Sequence, residues 1–124
     1  MIKVEDRGLI KIIIIDGEFN ADIGLKAKEI VKECIDKVDL IVISFRNVIY
    51  INSSGIRELL DILKIANSKG KKLHLSDMSK EVRELFAFTY LDNVFKIFED
   101  INEALKLWGR LCLWPMKKKK IYLR

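Results

Sequence analysis

Residues 39–60 read DLIVISFRNVIYINSSGIRELL, and this stretch decides the fold. Leu40, Ile41, Val42 and Ile43 follow one another without a polar break, so both faces of an extended segment are hydrophobic. A strand of that kind is covered by helices on its two sides, as in a parallel sheet. Asn52, Ser53, Ser54 and Gly55 then supply residue types that favour a turn and a helix start. Ile56, Leu59, Leu60, Leu63 and Ala66 recur at three- and four-residue intervals, which is one buried face of a helix. Gly70 marks its C-terminal end.

Working outward, the weakly alternating IKVED is separated by only a few residues from LIKIIII, residues 9–15. These two strands should pair antiparallel, because a parallel crossover needs about a dozen residues. Asp16 and Gly17 are expected to end the second strand, with turns over Gly17 to Asp22 and over Asn47 to Ser54. Ile23, Ala27, Ile30, Val31, Cys34 and Val38 mark a first helix. Downstream, KKLHLSD is a short strand, and Met78, Val82, Leu85 and Phe86 mark a further helix. VFKIF, residues 94–98, is a last strand. Asp100 and Glu103 have the spacing of a capping box before a helix carrying Ile101, Ala104, Leu105 and Trp108. The expected fold is α/β, a mainly parallel mixed sheet of about five strands with an antiparallel N-terminal edge hairpin and about four helices.

The 124 residues are half hydrophobic and one third charged, the profile of one folded domain. No apolar run approaches the ~20 residues of a membrane-spanning helix. The first residues lack the layout of a secretory signal, so a cytoplasmic location is expected. Cys34 and Cys112 have no metal-ligand or CxxC spacing and read as reduced thiols. The net charge of +5 is unevenly placed: residues 1–109 hold 17 basic and 18 acidic side chains, whereas residues 110–124 hold six basic and no acidic ones. The reading is a domain over 1–109 and a basic, aromatic tail over 110–124, with no nucleic-acid partner. In the tail, Leu111, Leu113 and Trp114 either extend the last helix along the domain until Pro115 interrupts it, or meet an anionic membrane surface. The first is the expectation.

Catalytic signatures are absent from the sequence. The only histidine, His74, alternates with Leu73 and Leu75 in a strand, where it reads as a packed or surface side chain and not as a catalytic base. There is no nucleophile elbow, phosphate-binding glycine loop or metal-ligand spacing, so no enzyme, metal or cofactor is expected. Ser53 and Ser54 differ from this background. They fall where a central strand meets a helix N-terminus, which carries unpaired N–H groups and the positive end of the dipole. On spacing alone, the hydroxyls are either helix caps or acceptors for a phosphate that this field would favour.

The pattern F.NV.YINSSGIRELL, followed by KKLHLSDMSKEVRELFAFTYLDNVFKIFEDINEAL, resembles the STAS domain of bacterial anti-sigma factor antagonists. SSG after a strand, V..LF..T.LD.VF.IF and the closing EAL carry the likeness. IIIIDGEFNADI is similar to that family's strand ending in a Gly-Glu-Leu-Asp-like turn. The likeness runs from residue 1 to about 107. It implies a protein that binds an anti-sigma factor serine kinase and so frees a sigma factor. Phosphorylation of a serine in Asp-Ser-Ser-Gly then releases it, and a serine phosphatase resets the switch.

By that resemblance the acceptor is Ser53. The partner surface around it takes in Asn20, Asp22, Asn52, Ser54, Gly55, Arg57 and Glu58; separately from the resemblance, a monomer or weak dimer is expected. Two positions depart from the family pattern: Asn52 precedes the serine in place of an acid, and Asn20, after Phe19, replaces the acid of the upstream turn. STAS-like domains also serve as accessory subunits of lipid-transport ATPase complexes, which is the alternative function.

Overall fold

The computed structural model describes residues 1–105, and the tail lies outside the described residues. The chain runs β1 (Ile2–Arg7), β2 (Ile10–Phe19), α1 (Ala21–Cys34), β3 (Leu40–Ile51), α2 (Ser53–Ser68), β4 (Lys72–Ser76), α3 (Lys80–Phe88), a 3-10 turn (Leu91–Asn93) and β5 (Lys96–Phe98). Residues 101–105 are helical and are labelled α4. The five strands lie in sequence order, with β1 antiparallel to β2 and the others parallel. The expected mixed sheet with its N-terminal edge hairpin is therefore observed.

The apolar run that suggested a doubly covered strand behaves that way: Leu40 through Phe45 are all buried. One face of the sheet carries the larger core, in which Ile13, Ile15, Ile41, Ile43 and Leu75 pack against Ala27, Val31, Leu59, Ile62 and Phe86. Three phenylalanines link β2, β3 and α3 there. Phe19 stacks on Phe45 at 5.6 Å, and Phe45 meets Phe86 edge-on at 6.2 Å. The other face holds a smaller cluster of Ile12, Leu40 and Val42 under Ala104 of α4.

Element ends follow the cap chemistry in the sequence. Gly70 adopts φ +69°, the left-handed conformation that stops α2. Ser79 caps α3 by accepting the N–H of Val82 at 3.2 Å, and Asp100 accepts that of Glu103 at 2.8 Å.

Two expectations are corrected. Asp16 and Gly17 do not end β2, and residues 47–51 are not a turn. Both segments continue as strand and pair with each other, from Asp16 opposite Asn47 to Phe19 opposite Ile51. Two register irregularities absorb the mismatch, and Gly17 at φ +89° supplies the conformation one of them needs. A Gly-containing tripeptide resembles a turn locally; the cross-strand partner that keeps it extended lies some thirty residues away.

His74 is buried in β4, with Nδ1 3.2 Å from the carbonyl oxygen of Ala104 and its ring tilted against Phe98. The nearby ring nitrogen thus ties β4 to α4 as a neutral group. Burial, reinforced by Lys72 and Lys96, lowers its pKa from 6.5 to about 4. In the unfolded chain the imidazole takes up a proton near pH 6.5, whereas in the fold it resists protonation until about pH 4. Its contribution to stability is complete above that range and is lost as pH falls through it. Denaturant titrations should show a loss of about 2 kcal/mol between pH 7.5 and pH 5. His74→Leu should flatten that slope.

Candidate functional site at the start of α2

The carboxyl ends of β2 and β3 lie side by side, because Phe19 is paired with Ile51. Each strand is followed by one asparagine and then a helix. Asn20 accepts the N–H of Ile23 through Oδ1 at 3.0 Å, and Asn52 accepts that of Gly55 at 2.8 Å. Both side chains are therefore N-caps, satisfying one of the donors that a helix start leaves unpaired. The two loops are joined directly, as the N–H of Asn52 donates to the carbonyl oxygen of Phe19 at 3.3 Å.

Gly55 lies against that same carbonyl. A Cβ at position 55 would stand 2.2 Å from Phe19 O, a backbone atom with little room to move. A Cβ at Gly24 of α1 would stand 2.5 Å from Cβ of Glu58. Two glycines thus let α1 and α2 start close together over the strand ends. Between the helices, Lys28 Nζ lies 2.7 Å from Glu58 Oε1 and 3.3 Å from Asp61 Oδ2. The shorter contact is an ion pair not aligned as a hydrogen bond, and Glu58 Oε1 has no other partner among the described residues. The Glu58 carboxylate, followed by Asp61, raises the pKa of Lys28.

With Asn52 occupying the cap, the serines are freed from that role. Ser53 and Ser54 are exposed on the first turn of α2, and neither hydroxyl enters a hydrogen bond among the described residues. The cap, one of the two roles left open for these serines, is thereby taken from them: Asn52 Oδ1, accepting the Gly55 N–H at 2.8 Å, holds that place. Asp22 and Arg57 are exposed near the starts of α1 and α2. Glu58 faces Lys28 with its side chain only 15% exposed, so it serves the helix–helix contact more than the open surface. No acid lies in the first turn of α2.

One part of this surface was not legible as such. β4 pairs with β3 only as far as Ser44, so the later residues of β3 extend past it. Ile49 and Tyr50 stand 75% and 55% exposed on that extension, immediately before the serines. The apolar run VIYI was the available signal, but only the strand pairing shows which of its members turn outward.

A family model for the STAS domain matches residues 1–104. The protein belongs to the STAS domain family. Solved structures carry the same fold. One is a putative anti-sigma factor antagonist from Thermotoga maritima, 23% identical, covering 86% of this chain and 92% of that one, with a TM-score of 0.77. The Bacillus cell fate determinant SpoIIAA in its phosphorylated form is 18% identical, covering 87% of this chain and 99% of its own, with a TM-score of 0.68. A sulfate transporter family protein from Wolinella succinogenes is 19% identical, covering 77% and 81%, with a TM-score of 0.71. The STAS fold is thus shared by regulatory and transport proteins. Among the described residues no helix is long and apolar enough to cross a membrane.

The cap assignment and the glycine contact make separate predictions for this STAS domain. Asn52→Ala should cost about 1 kcal/mol in a denaturant titration, while Ser53→Ala and Ser54→Ala should each stay within about 0.5 kcal/mol of the parent. Gly55→Ala, which would stabilise an unobstructed helix, should instead destabilise by about 3 kcal/mol or more through the clash with Phe19 O.

Proposed function

We propose that the protein is an anti-sigma factor antagonist, binding a serine-kinase anti-sigma factor and released from it by phosphorylation of Ser53. The observation that carries this reading is the free, exposed hydroxyl of Ser53 on the first turn of α2, beside a cap already satisfied by Asn52. Family membership and the presence of anti-sigma factor antagonists among the structural relatives support it.

The physical account is local. A phosphate adds roughly two negative charges at neutral pH. On Ser53 it would meet the helix dipole and the unpaired N–H groups of the first turn, with no carboxylate in that turn to oppose it. Asparagine at positions 20 and 52 keeps both caps while removing the negative charge that an acid would bring to the acceptor. The free protein therefore tolerates the phosphate well. An interface built over Ile49, Tyr50, Arg57 and the serines does not, because closing it would strip water from a charge with no partner. The protein acts in this scheme by occupying its partner, and a serine phosphatase restores the binding form. Its place of action is the cytoplasm, where kinase and sigma factor meet.

The test is co-purification and direct binding with candidate kinases. Ser53→Ala should bind as wild type and accept no labelled phosphate, while Ser53→Asp should bind at least tenfold more weakly, about 1.4 kcal/mol. Equal binding by Ser53→Asp and wild type would exclude the switch. A chain that binds a transport ATPase subunit and no kinase would favour the accessory-subunit role.

A further inference from the structure

The sheet has one outer strand at its N-terminal side, and the features of its free edge match those of its own copy. Among the described residues, β1 pairs with β2 along one side only. Met1 and Asp16 exchange both backbone hydrogen bonds, at 2.8 and 3.1 Å. In an antiparallel ladder such pairs alternate, so Lys3, Glu5 and Arg7 turn their backbone groups to β2. Ile2, Val4 and Asp6 turn theirs outward. Beside this edge, Ile2 and Val4 form, with Ile23 and Ile30 of α1, the floor of an open trough of about 550 Å³ rimmed by Lys26 and Glu29. Val4 is 40% exposed there.

We propose that β1 is a self-association edge, joining two copies antiparallel about a two-fold axis through Val4. Such an axis keeps the same sheet face uppermost in both copies, so only residues of like parity can oppose one another. With Val4 opposite Val4, Ile2 faces Asp6 of the second copy, and all three outward-bonding residues find partners. The same register places Lys3 opposite Glu5 of the second copy, twice by symmetry. Sliding by two residues in one direction sets Lys3 against Lys3. Sliding in the other sets Glu5 against Glu5 and Lys3 against Arg7.

Each shift also leaves one residue's hydrogen-bonding groups unpaired. The register with the most backbone bonds is therefore the one in which the charges attract. Charged side chains on an edge strand normally discourage pairing. On β1 they select one pairing and penalise its neighbours. The two troughs meet over Val4, which covers the exposed apolar floor of each. Lys3 has no ion-pair partner among the described residues and is available for this contact, while Glu5 holds Arg7 at 3.1 Å in the single copy.

Sedimentation of the full chain over a wide concentration range tests the proposal. Wild type should dimerise reversibly. Lys3→Glu or Glu5→Lys alone should weaken the dimer roughly tenfold by setting like charges opposite, and the double exchange should restore it. Val4→Pro removes an outward N–H without touching the ladder to β2, so it should abolish the dimer while leaving the amide spectrum of the other strands unchanged. A chain that stays monomeric to millimolar concentration overturns the proposal. So does a dimer indifferent to these changes, a double exchange that fails to rescue, or protection of the Val4 amide that appears only when another protein is added.

Discussion

The carbonyl oxygen of Phe19 is the contact around which the candidate site is arranged. It receives the N–H of Asn52, and it lies so close to Gly55 that no larger residue fits there without displacement. Through that one atom, the end of β2, the loop after β3 and the first turn of α2 are fixed against each other. The aromatic ring of the same residue stacks on Phe45 in the core, so the loop junction is anchored from beneath. Gly24 and Gly55 permit the approach, and the Lys28 contacts to Glu58 and Asp61 keep the two helices aligned along the next turn.

This rigidity has a chemical consequence. The helix starts are capped by amides belonging to the loops, not by the hydroxyls that follow them. Among the described residues, Ser53 and Ser54 therefore present unengaged hydroxyls on an ordered helix turn. A group added to such a position changes the surface without removing a hydrogen bond that the fold requires. A regulatory position benefits from that separation, since binding can be altered while stability is left nearly unchanged. The exposed Ile49 and Tyr50, carried on the extension of β3, supply apolar area next to the hydroxyls.

Much of the architecture could be read from residue spacing. The uninterrupted run Leu40 to Ile43, the periodicity of α2 and Gly70 at its end act through local geometry and appear where expected, whereas α1 stops at Cys34, before the Val38 expected within it. His74 was left open between a packed and a surface position, and only the fold shows it buried. The segments Asp16 to Glu18 and Asn47 to Ile51 were misread for one shared reason. Asp16 to Glu18 holds turn-forming residues and Asn47 to Ile51 leads into the NSSG stretch, yet each is a strand because the other lies beside it. The serine hydroxyls were left open between capping and accepting a phosphate, and the neighbouring asparagine holds the cap, a choice that depends on where the first helical N–H groups point.

The sequence by itself determined the order of strands and helices, the buried faces and the hydroxyl-rich helix start, because those follow from side-chain periodicity and backbone preference within a few residues. Tertiary structure alone decided which of Asn52, Ser53 and Ser54 caps the helix, which of Ile49 to Ile51 faces outward, and that Glu58 turns to Lys28. Those outcomes rest on contacts between residues distant in the chain, at separations of a few ångströms, where one hydrogen bond or one missing Cβ settles the choice.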